Sequence, residues 1–244
     1  MRDELLGGRV RGVLFDLDGT LIDTVALILS SFRYATGRVL GEPFPDEELM
    51  RNVGVPLARQ MREFSPDKAD ELLHVYREHN ASVHDEMIAE YPGTHEVLAF
   101  LFDREVPMGV VTSKGAPMAR RGLEIFGLDR FFEVVVTADD VPLHKPDPYP
   151  LRRAGELIGI PAEECLYLGD SPHDVSAARA AGSVAVAALW GAFPAGDVLD
   201  AGPEFAITSI TELPELLAEP GTRFAITPPA GETDGGSGRP HPLG

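Results

Sequence analysis

The fold of this chain is decided by one stretch near its start, Val13-Leu14-Phe15-Asp16-Leu17-Asp18-Gly19-Thr20-Leu21-Ile22-Asp23-Thr24. Its first three residues are apolar and predict a short buried strand. Two carboxylates, Asp16 and Asp18, follow on the same face of that strand, so their negative charges need a cation or a shared proton. A charged strand end followed by a glycine turn is where open α/β sheets bind ligands. The alternative is a polar strand end that only caps a helix.

The composition of the chain excludes several kinds of partner. Its 244 residues are enough for one large domain, or for one domain with an insertion. The formal charge of −18 disfavours nucleic acid and anionic membranes, and no apolar run approaches the ~18 residues of a membrane span. We therefore expect neither a nucleic-acid nor a membrane partner. Separately, we expect the protein to be a monomer or a weak homodimer.

The cysteine content of the chain indicates the cellular compartment in which we expect the protein. With only Cys165 present, an intramolecular disulfide is impossible, and we expect a reducing, cytoplasmic setting. The first residues also lack the apolar core of a signal peptide. Because Cys165 lies in an apolar run, we predict that it is a buried strand residue and not a nucleophile.

Beyond residue 90, predicted strands and helices alternate. Helices are predicted at residues 94–104, 118–126, 150–158, 175–181 and 213–218. Strands are predicted at residues 108–112, 133–137, 166–169, 184–188 and 205–207. Such alternation is typical of a parallel sheet covered by helices on both faces, which is a three-layer α/β fold.

Residues 24–90 interrupt this alternation with a block of predicted helices. The first of them starts at Thr24 as its N-cap and runs to about residue 34, and we find no convincing strand in the block. Because the block directly follows the first strand, we expect it to lie over the sheet edge as a helical cap. The catalytic core is then formed by residues 1–23 and 91–218. The Gly- and Pro-rich residues 219–244 are predicted to be a flexible tail.

Polar groups follow several of the predicted strands, and parallel strands end at one edge of a sheet. They are Asp16, Asp18, Thr112, Ser113, Lys114, Lys145, Asp170 and Asp174. Four carboxylates around Lys145 need further positive charge, and oxygen-only ligands suit Mg²⁺. Paired carboxylates, a metal ion, a lysine and hydroxyl groups suit phosphoryl transfer through an aspartyl-phosphate.

These groups resemble the four motifs of the haloacid-dehalogenase-like hydrolases, in the same order. The match rests on Asp16-Leu17-Asp18-Gly19-Thr20, Thr112, Lys145 before Pro146-Asp147-Pro148, and Gly169-Asp170 with Asp174. The resemblance covers about residues 10–218. It implies a Rossmann-like core and an inserted α-helical cap.

The same resemblance implies a role for each motif residue. Asp16 would be the nucleophile and Asp18 the acid and base, while Thr112, Ser113 and Lys145 would bind the phosphoryl group. The implied Mg²⁺ ligands are the carboxylates of Asp16 and Asp170, the backbone carbonyl of Asp18, and Asp174 directly or through water.

Within the family, the chain is similar to phosphoglycolate phosphatases and to capped pyrophosphatases. We therefore predict a Mg²⁺-dependent phosphatase of a small anionic phosphate ester of the phosphoglycolate type, with pyrophosphate as the alternative substrate. We rank a sugar-phosphate mutase and a non-enzymatic phospho-accepting switch below both. The acid at Asp18 disfavours a dehalogenase, because the dehalogenases that the chain resembles lack an acid there.

The predicted cap offers fewer signals than the core. Related caps reach the site at the position of the turn Gly54-Val55-Pro56, and Arg51, Arg59 and Arg62 lie beside that turn. We predict that Arg59 contacts a carboxylate or a second phosphate of the substrate. The alternative is that these arginines are only solvated charges on helices.

Overall fold

The computed structural model describes residues 9–42, 44–51 and 53–218. The tail predicted for residues 219–244 lies outside this range. The strands are β1 (Gly12–Phe15), β2 (Ile22–Asp23), β3 (Ala89–Glu90), β4 (Met108–Val111), β5 (Val134–Val136), β6 (Cys165–Gly169), β7 (Val184–Ala188) and β8 (Phe205–Ile207). The α-helices are α1 (Val25–Leu40), α2 (Asp46–Met50), α3 (Leu57–Phe64), α4 (Ala69–Val83), α5 (Thr94–Phe102), α6 (Ala116–Ile125), α7 (Tyr149–Ile158), α8 (Pro172–Ala181), α9 (Ala195–Asp200) and α10 (Leu213–Ala218).

Six of these strands form one parallel sheet, in the order β5-β4-β1-β6-β7-β8. Side chains of a strand point alternately to the two faces of its sheet. Val13 and Phe15 accordingly pack in the apolar cluster that contains α5, α6 and α10. Leu14 packs on the opposite face, with α7, α8 and α9. The predicted three-layer α/β fold is therefore confirmed, and β1 is buried at its centre.

The helices α1–α4 pack around an apolar cluster of their own. Phe32 of α1 is its centre, with its ring 4.9 Å from the ring of Tyr76 and 5.5 Å from that of Phe64. The chain enters this helical layer after β2 and leaves it before β3. In the described part of the chain, no helix combines the length and the apolarity that crossing a membrane requires.

Three details of the helical block differ from the sequence-based expectations. Ile22 pairs with Glu90 and Asp23 with Ala89, so β2, just before the block, forms an antiparallel pair with β3, at the end of a block in which we expected no strand. A strand of two residues is too short to show the alternation of apolar and polar residues that identifies a β-strand in a sequence. The helix α1 also continues past residue 34 to Leu40, where Gly41 ends it in the left-handed conformation.

The start of α1 is the third difference. The side chain of Thr24 makes no capping hydrogen bond, and its hydroxyl is buried without a partner in the described part of the chain. The carboxylate of Asp23 accepts from the Val25 N–H instead, at 3.1 Å. In the core, the short helix α9 was not predicted at all.

A close backbone contact makes Gly155 of α7 sensitive to substitution. A Cβ atom at this position would lie 2.7 Å from the Ile160 carbonyl oxygen, which is backbone and cannot rotate away. We predict that Gly155→Ala lowers the free energy of unfolding by about 1–3 kcal/mol. The measurement is urea unfolding followed by circular dichroism.

The matched control for this prediction is Gly196→Ala in α9, where a Cβ atom would meet nothing within 4 Å. We expect this variant to gain about 0.5–1 kcal/mol, because alanine costs less backbone entropy in a helix. Equal stability of the two variants would contradict the packing described for Gly155.

Candidate active site

The carboxyl ends of β1 and β6 bring the predicted acidic residues together. Phe15, the last residue of β1, pairs with Leu168 of β6, so the segments that follow these strands start side by side. Asp16, Asp170 and Asp174 are at most 5% exposed, and each offers a carboxylate oxygen within 4.8 Å of the other two. Two segments that are far apart in sequence therefore supply one acidic cluster, to which we refer as the aspartate cluster.

Lys145 is the positive charge inside the aspartate cluster. Its Nζ lies 3.0 Å from Asp16 Oδ1 and 2.6 Å from Asp174 Oδ1, and the residue is 3% exposed. Burial alone would lower the pKa of Lys145, but the two carboxylates outweigh burial and raise it. The lysine is therefore a permanent cation in the cluster.

Tyr167 of β6, for which no role was predicted from the sequence, completes this arrangement. Its hydroxyl accepts a hydrogen bond from Lys145 Nζ at 3.0 Å, and lies 3.1 Å from Asp174 Oδ1 and 3.0 Å from the Val111 carbonyl. A tyrosine in a strand that is buried on both faces needs a polar partner. A tyrosine among aliphatic neighbours in a strand was therefore the feature of the sequence that could have revealed this role of Tyr167.

Two glycines leave room for the Asp170 carboxylate. A Cβ atom at Gly19 or at Gly191 would lie 2.3 or 2.2 Å from Asp170 Oδ2, and Gly19 also has a φ of +81°. With that space kept open, Asp170 Oδ2 accepts from the Ala192 N–H at 2.7 Å. The turn at Gly19 was expected, whereas Gly191 has no sequence signal of its own.

The pKa values in the aspartate cluster indicate a shortage of positive charge. Burial, reinforced by Asp174 and Asp18 and opposed by Lys145, raises the pKa of Asp16 to about 7. Burial, together with the charges of Asp174 and Asp16, raises the pKa of Asp170 well above its usual value.

Asp174 behaves differently from its two neighbours. Although burial alone would raise its pKa, the charge of Lys145 and the hydrogen bonds from Lys145, Ser171 and Tyr167 lower it. Three buried carboxylates thus share one lysine, and all available ligand atoms are oxygens. This donor set fits a hard divalent cation.

Asp18 and Thr112 lie beside the aspartate cluster, where Lys114 contacts both. Lys114 Nζ donates to Asp18 Oδ1 at 2.7 Å, and the Lys114 N–H donates to Thr112 Oγ1 at 3.1 Å. The Asp18 side chain is 19% exposed and the Lys114 side chain 12%, so solvent or a ligand can reach both. Lys114 was expected at this strand end from the sequence, whereas its ion pair with Asp18 was not.

A cavity of about 710 Å³ separates the sheet edge from the helical layer. Its walls combine polar groups of the sheet edge with residues of the helical layer. They include Asp16, Asp18, Asp170, Thr112, Ser113, Lys114, Gly54, Val55, Pro56, Tyr76 and Arg77. The turn at Gly54 therefore reaches the site, as expected from the sequence.

The arginine predicted from the sequence, Arg59, is close enough for its charge to act on His173, which precedes Asp174 in α8. Arg59 is not among the residues that line this cavity, its side chain is 67% exposed, and its Nε lies 3.6 Å from Glu63 Oε1. A contact between Arg59 and a substrate thus stays a prediction. Among the described residues, the arginine in the cavity wall is Arg77 of α4, for which no role was predicted.

Cys165 conforms to its expected structural role. It is fully buried in β6, and burial raises the pKa of its thiol to about 12. A thiol with this pKa is not a nucleophile at neutral pH.

The hydroxyl of Tyr167 offers a test of the buried network. We predict that Tyr167→Phe lowers the free energy of unfolding by about 1–3 kcal/mol, because buried partners lose a hydrogen bond. Tyr149→Phe is the matched control, since Tyr149 is 41% exposed, and its stability should be unchanged. Urea unfolding of both variants provides the measurement, and equal stabilities would show that the Tyr167 hydroxyl contributes nothing.

Comparisons with known proteins agree with this geometry. The sequence profile of the haloacid dehalogenase-like hydrolases matches residues 13–188. A protein of Caldanaerobacter subterraneus subsp. tengcongensis, provisionally named pyrophosphatase PpaX, is 39% identical over 209 residues, which are 86% of this chain and 95% of that protein. The pyrophosphatase PpaX of Listeria monocytogenes is 34% identical over 213 residues, which are 87% of this chain and 98% of that protein.

A solved structure extends the comparison to the fold. A Lactobacillus plantarum protein, provisionally named phosphoglycolate phosphatase, superimposes with a TM-score of 0.77 at 26% identity, covering 85% of this chain and 99% of the other. The sequence profile alone covers more than half of the chain. The chain belongs to the haloacid dehalogenase-like hydrolase family.

Proposed function

We propose that this protein is a Mg²⁺-dependent phosphatase that hydrolyses a small anionic phosphate compound through a phosphorylated Asp16. The observation that carries this proposal is the meeting of Asp16, Asp170, Asp174 and Lys145 at one buried sheet edge, beside an open cavity. Membership of a hydrolase family supports it. A cytoplasmic location and a monomeric or weakly dimeric state remain predictions.

Asp16 is the proposed nucleophile because only one of its carboxylate oxygens is engaged. Oδ1 accepts from the Leu17 N–H at 2.8 Å and faces Lys145 Nζ at 3.0 Å. Within the described ranges, no hydrogen bond to Oδ2 is present, so this oxygen is available to attack phosphorus. The attack breaks the bond between phosphorus and the leaving oxygen and forms the acyl-phosphate on Asp16.

Asp18 is the proposed acid and base. Lys114 holds its Oδ1 and thereby orients the carboxyl group towards the cavity. Asp18 gives a proton to the leaving oxygen, and then takes one from the water that hydrolyses the acyl-phosphate. Such a group contributes roughly 10²- to 10⁴-fold to the rate. Lys145, Thr112 and Ser113 are the proposed contacts of the phosphoryl oxygens.

The proposed metal ligands are the carboxylates of Asp16 and Asp170 and the backbone carbonyl of Asp18. When bound, Mg²⁺ supplies the positive charge that keeps the buried carboxylates ionised and neutralises phosphoryl oxygens. Asp174 joins directly or through water. Both of its oxygens already accept hydrogen bonds, Oδ1 from Lys145 and Oδ2 from Ser171.

Two substrates are proposed, in an order that the comparisons suggest. The PpaX proteins are named for pyrophosphate and share 34–39% of aligned residues with this chain. The solved structure whose name refers to phosphoglycolate is 26% identical in sequence to this chain. We therefore rank pyrophosphate before 2-phosphoglycolate, which reverses the order that the motifs alone suggested. The mutase and the phospho-accepting switch rank below both.

Removal of the proposed nucleophile tests the chemistry. We predict that Asp16→Asn lowers kcat for Mg²⁺-dependent phosphate release by roughly 10⁴-fold or more. Asp103→Asn is the matched control, because Asp103 is exposed at the end of α5, and its rate should equal that of the wild type. Full activity of Asp16→Asn would rule out a phosphorylated Asp16.

A substrate panel tests the metal and the specificity together. We predict that EDTA abolishes phosphate release, that added Mg²⁺ restores it, and that kcat/KM is higher for pyrophosphate than for 2-phosphoglycolate. The reverse order would favour the phosphoglycolate type. Activity that is unaffected by EDTA would argue against the metal site.

The same panel separates the phosphatase from the mutase and the switch. Phosphate release without any sugar phosphate counts against a mutase. A phosphorylated form that persists for hours, detected by intact mass, would instead support the switch.

A further inference from the structure

We propose that Tyr76 and Arg77 of α4 form a specificity site, which binds a second anionic group on the part of the substrate that leaves. This inference rests on the proposed function, because it names the substrate class of the same cavity. The group that it would bind is a phosphate or a carboxylate.

The distribution of charge around the cavity supports this site. The sheet edge contributes Asp16, Asp18 and Asp170 to the cavity wall, so an anionic leaving group would be repelled from that side. Lys114, which also lines the cavity, is already paired with Asp18. Arg77 lines the cavity from the opposite side, and within the described residues it takes part in no ion pair. Its guanidinium is exposed and offers a positive charge that an anionic group can use.

Tyr76 provides a second, independent observation. It is 7% exposed and lines the cavity, yet its hydroxyl has no hydrogen-bond partner in the described part of the chain. Burial, and then the charge of Asp18, raises the pKa of this hydroxyl, so it remains a donor at neutral pH. The hydroxyl is not one of the fully buried side-chain atoms that lack a partner, because it reaches the cavity, where water or a ligand can accept its proton. The oxygen of a leaving anion is such an acceptor.

The backbone that carries these residues is well supported. The ring of Tyr76 packs on Phe32 of α1, and one turn further along α4 the Asn80 side chain donates to Ser31 of α1 at 3.2 Å. A side chain on a packed helix is held more precisely than one on a loop. Tyr76 is therefore held in place on the helical side of the cavity, and Arg77 follows it on the same helix with an exposed side chain.

The site favours substrates with a second ionised group. In pyrophosphate this group is the leaving phosphate, and in 2-phosphoglycolate it is the carboxylate of the leaving glycolate. The ester p-nitrophenyl phosphate has no second ionised group, so its hydrolysis reports the core chemistry without this contact.

The experiment measures kcat and KM for these three substrates with Mg²⁺ present, for the wild type, Arg77→Gln and Tyr76→Phe. We expect Arg77→Gln to lower kcat/KM for the better anionic substrate by about 10- to 100-fold. With p-nitrophenyl phosphate, we expect less than about a 3-fold change, since no ionic contact is lost. Tyr76→Phe should lower kcat/KM for the same anionic substrate by a smaller factor, with little change for p-nitrophenyl phosphate. Arg38→Gln, an exposed arginine of α1, is the control that should leave all three rates unchanged.

Each outcome of this experiment decides the inference. A loss confined to pyrophosphate identifies the second phosphate as the ligand, and a loss confined to 2-phosphoglycolate identifies the carboxylate. Equal losses on all three substrates, or no loss on any, would overturn the specificity site while leaving the phosphatase proposal intact. If the wild type releases no phosphate even from p-nitrophenyl phosphate, the proposed function itself is wrong, and the inference fails with it.

Discussion

The structure of this site depends on the buried ion pairs of Lys145 with Asp16 and Asp174. Removing charges from water is expensive, and close, hydrogen-bonded partners must compensate for that cost. Here the lysine lies within 3.0 Å of both carboxylates, and the Tyr167 hydroxyl accepts a further hydrogen bond from it. These groups come from β1, from β6 and the start of α8, and from the loop before α7. The ion pairs therefore link segments that the rest of the fold has to bring into register.

That register follows from the position of β1 between β4 and β6. Because β1 is buried on both faces, its apolar residues leave little freedom for a shift, and Asp16 must emerge at the carboxyl edge. The space for Asp170 then depends on Gly19 and Gly191, where any side chain would collide with the carboxylate. The helical layer is less constrained by the site, since it meets the sheet edge across an open cavity. Chemistry and substrate choice can thus reside on different parts of the chain.

Elements with a strong hydrophobic pattern could be predicted from the sequence, whereas elements with a weak pattern could not. The six strands of the parallel sheet were all found from apolar runs, and the four central ones are buried at every residue, as is typical of strands covered on both faces. The pair β2–β3 was missed, since two residues carry no period. The end of α1 was predicted near residue 34 and not at Leu40, although Gly41 marks it and the apolar spacing continues through Ala35 and Val39. The motif residues were found because their chemistry is unusual at a strand end, whereas Tyr167 was overlooked in an aliphatic strand.

The sequence by itself determined the α/β class, the order of the motifs and the surplus of acid that calls for a cation. These properties are local, because each depends on a residue and its near neighbours in the chain. Only the tertiary structure decided that Lys114 pairs with Asp18, that Gly191 makes room for Asp170, and that Arg77 lines the cavity. Each of these joins positions distant in sequence or depends on the face that a helix turns to the sheet. Such contacts depend on how the whole chain packs, so no local sequence pattern predicts them.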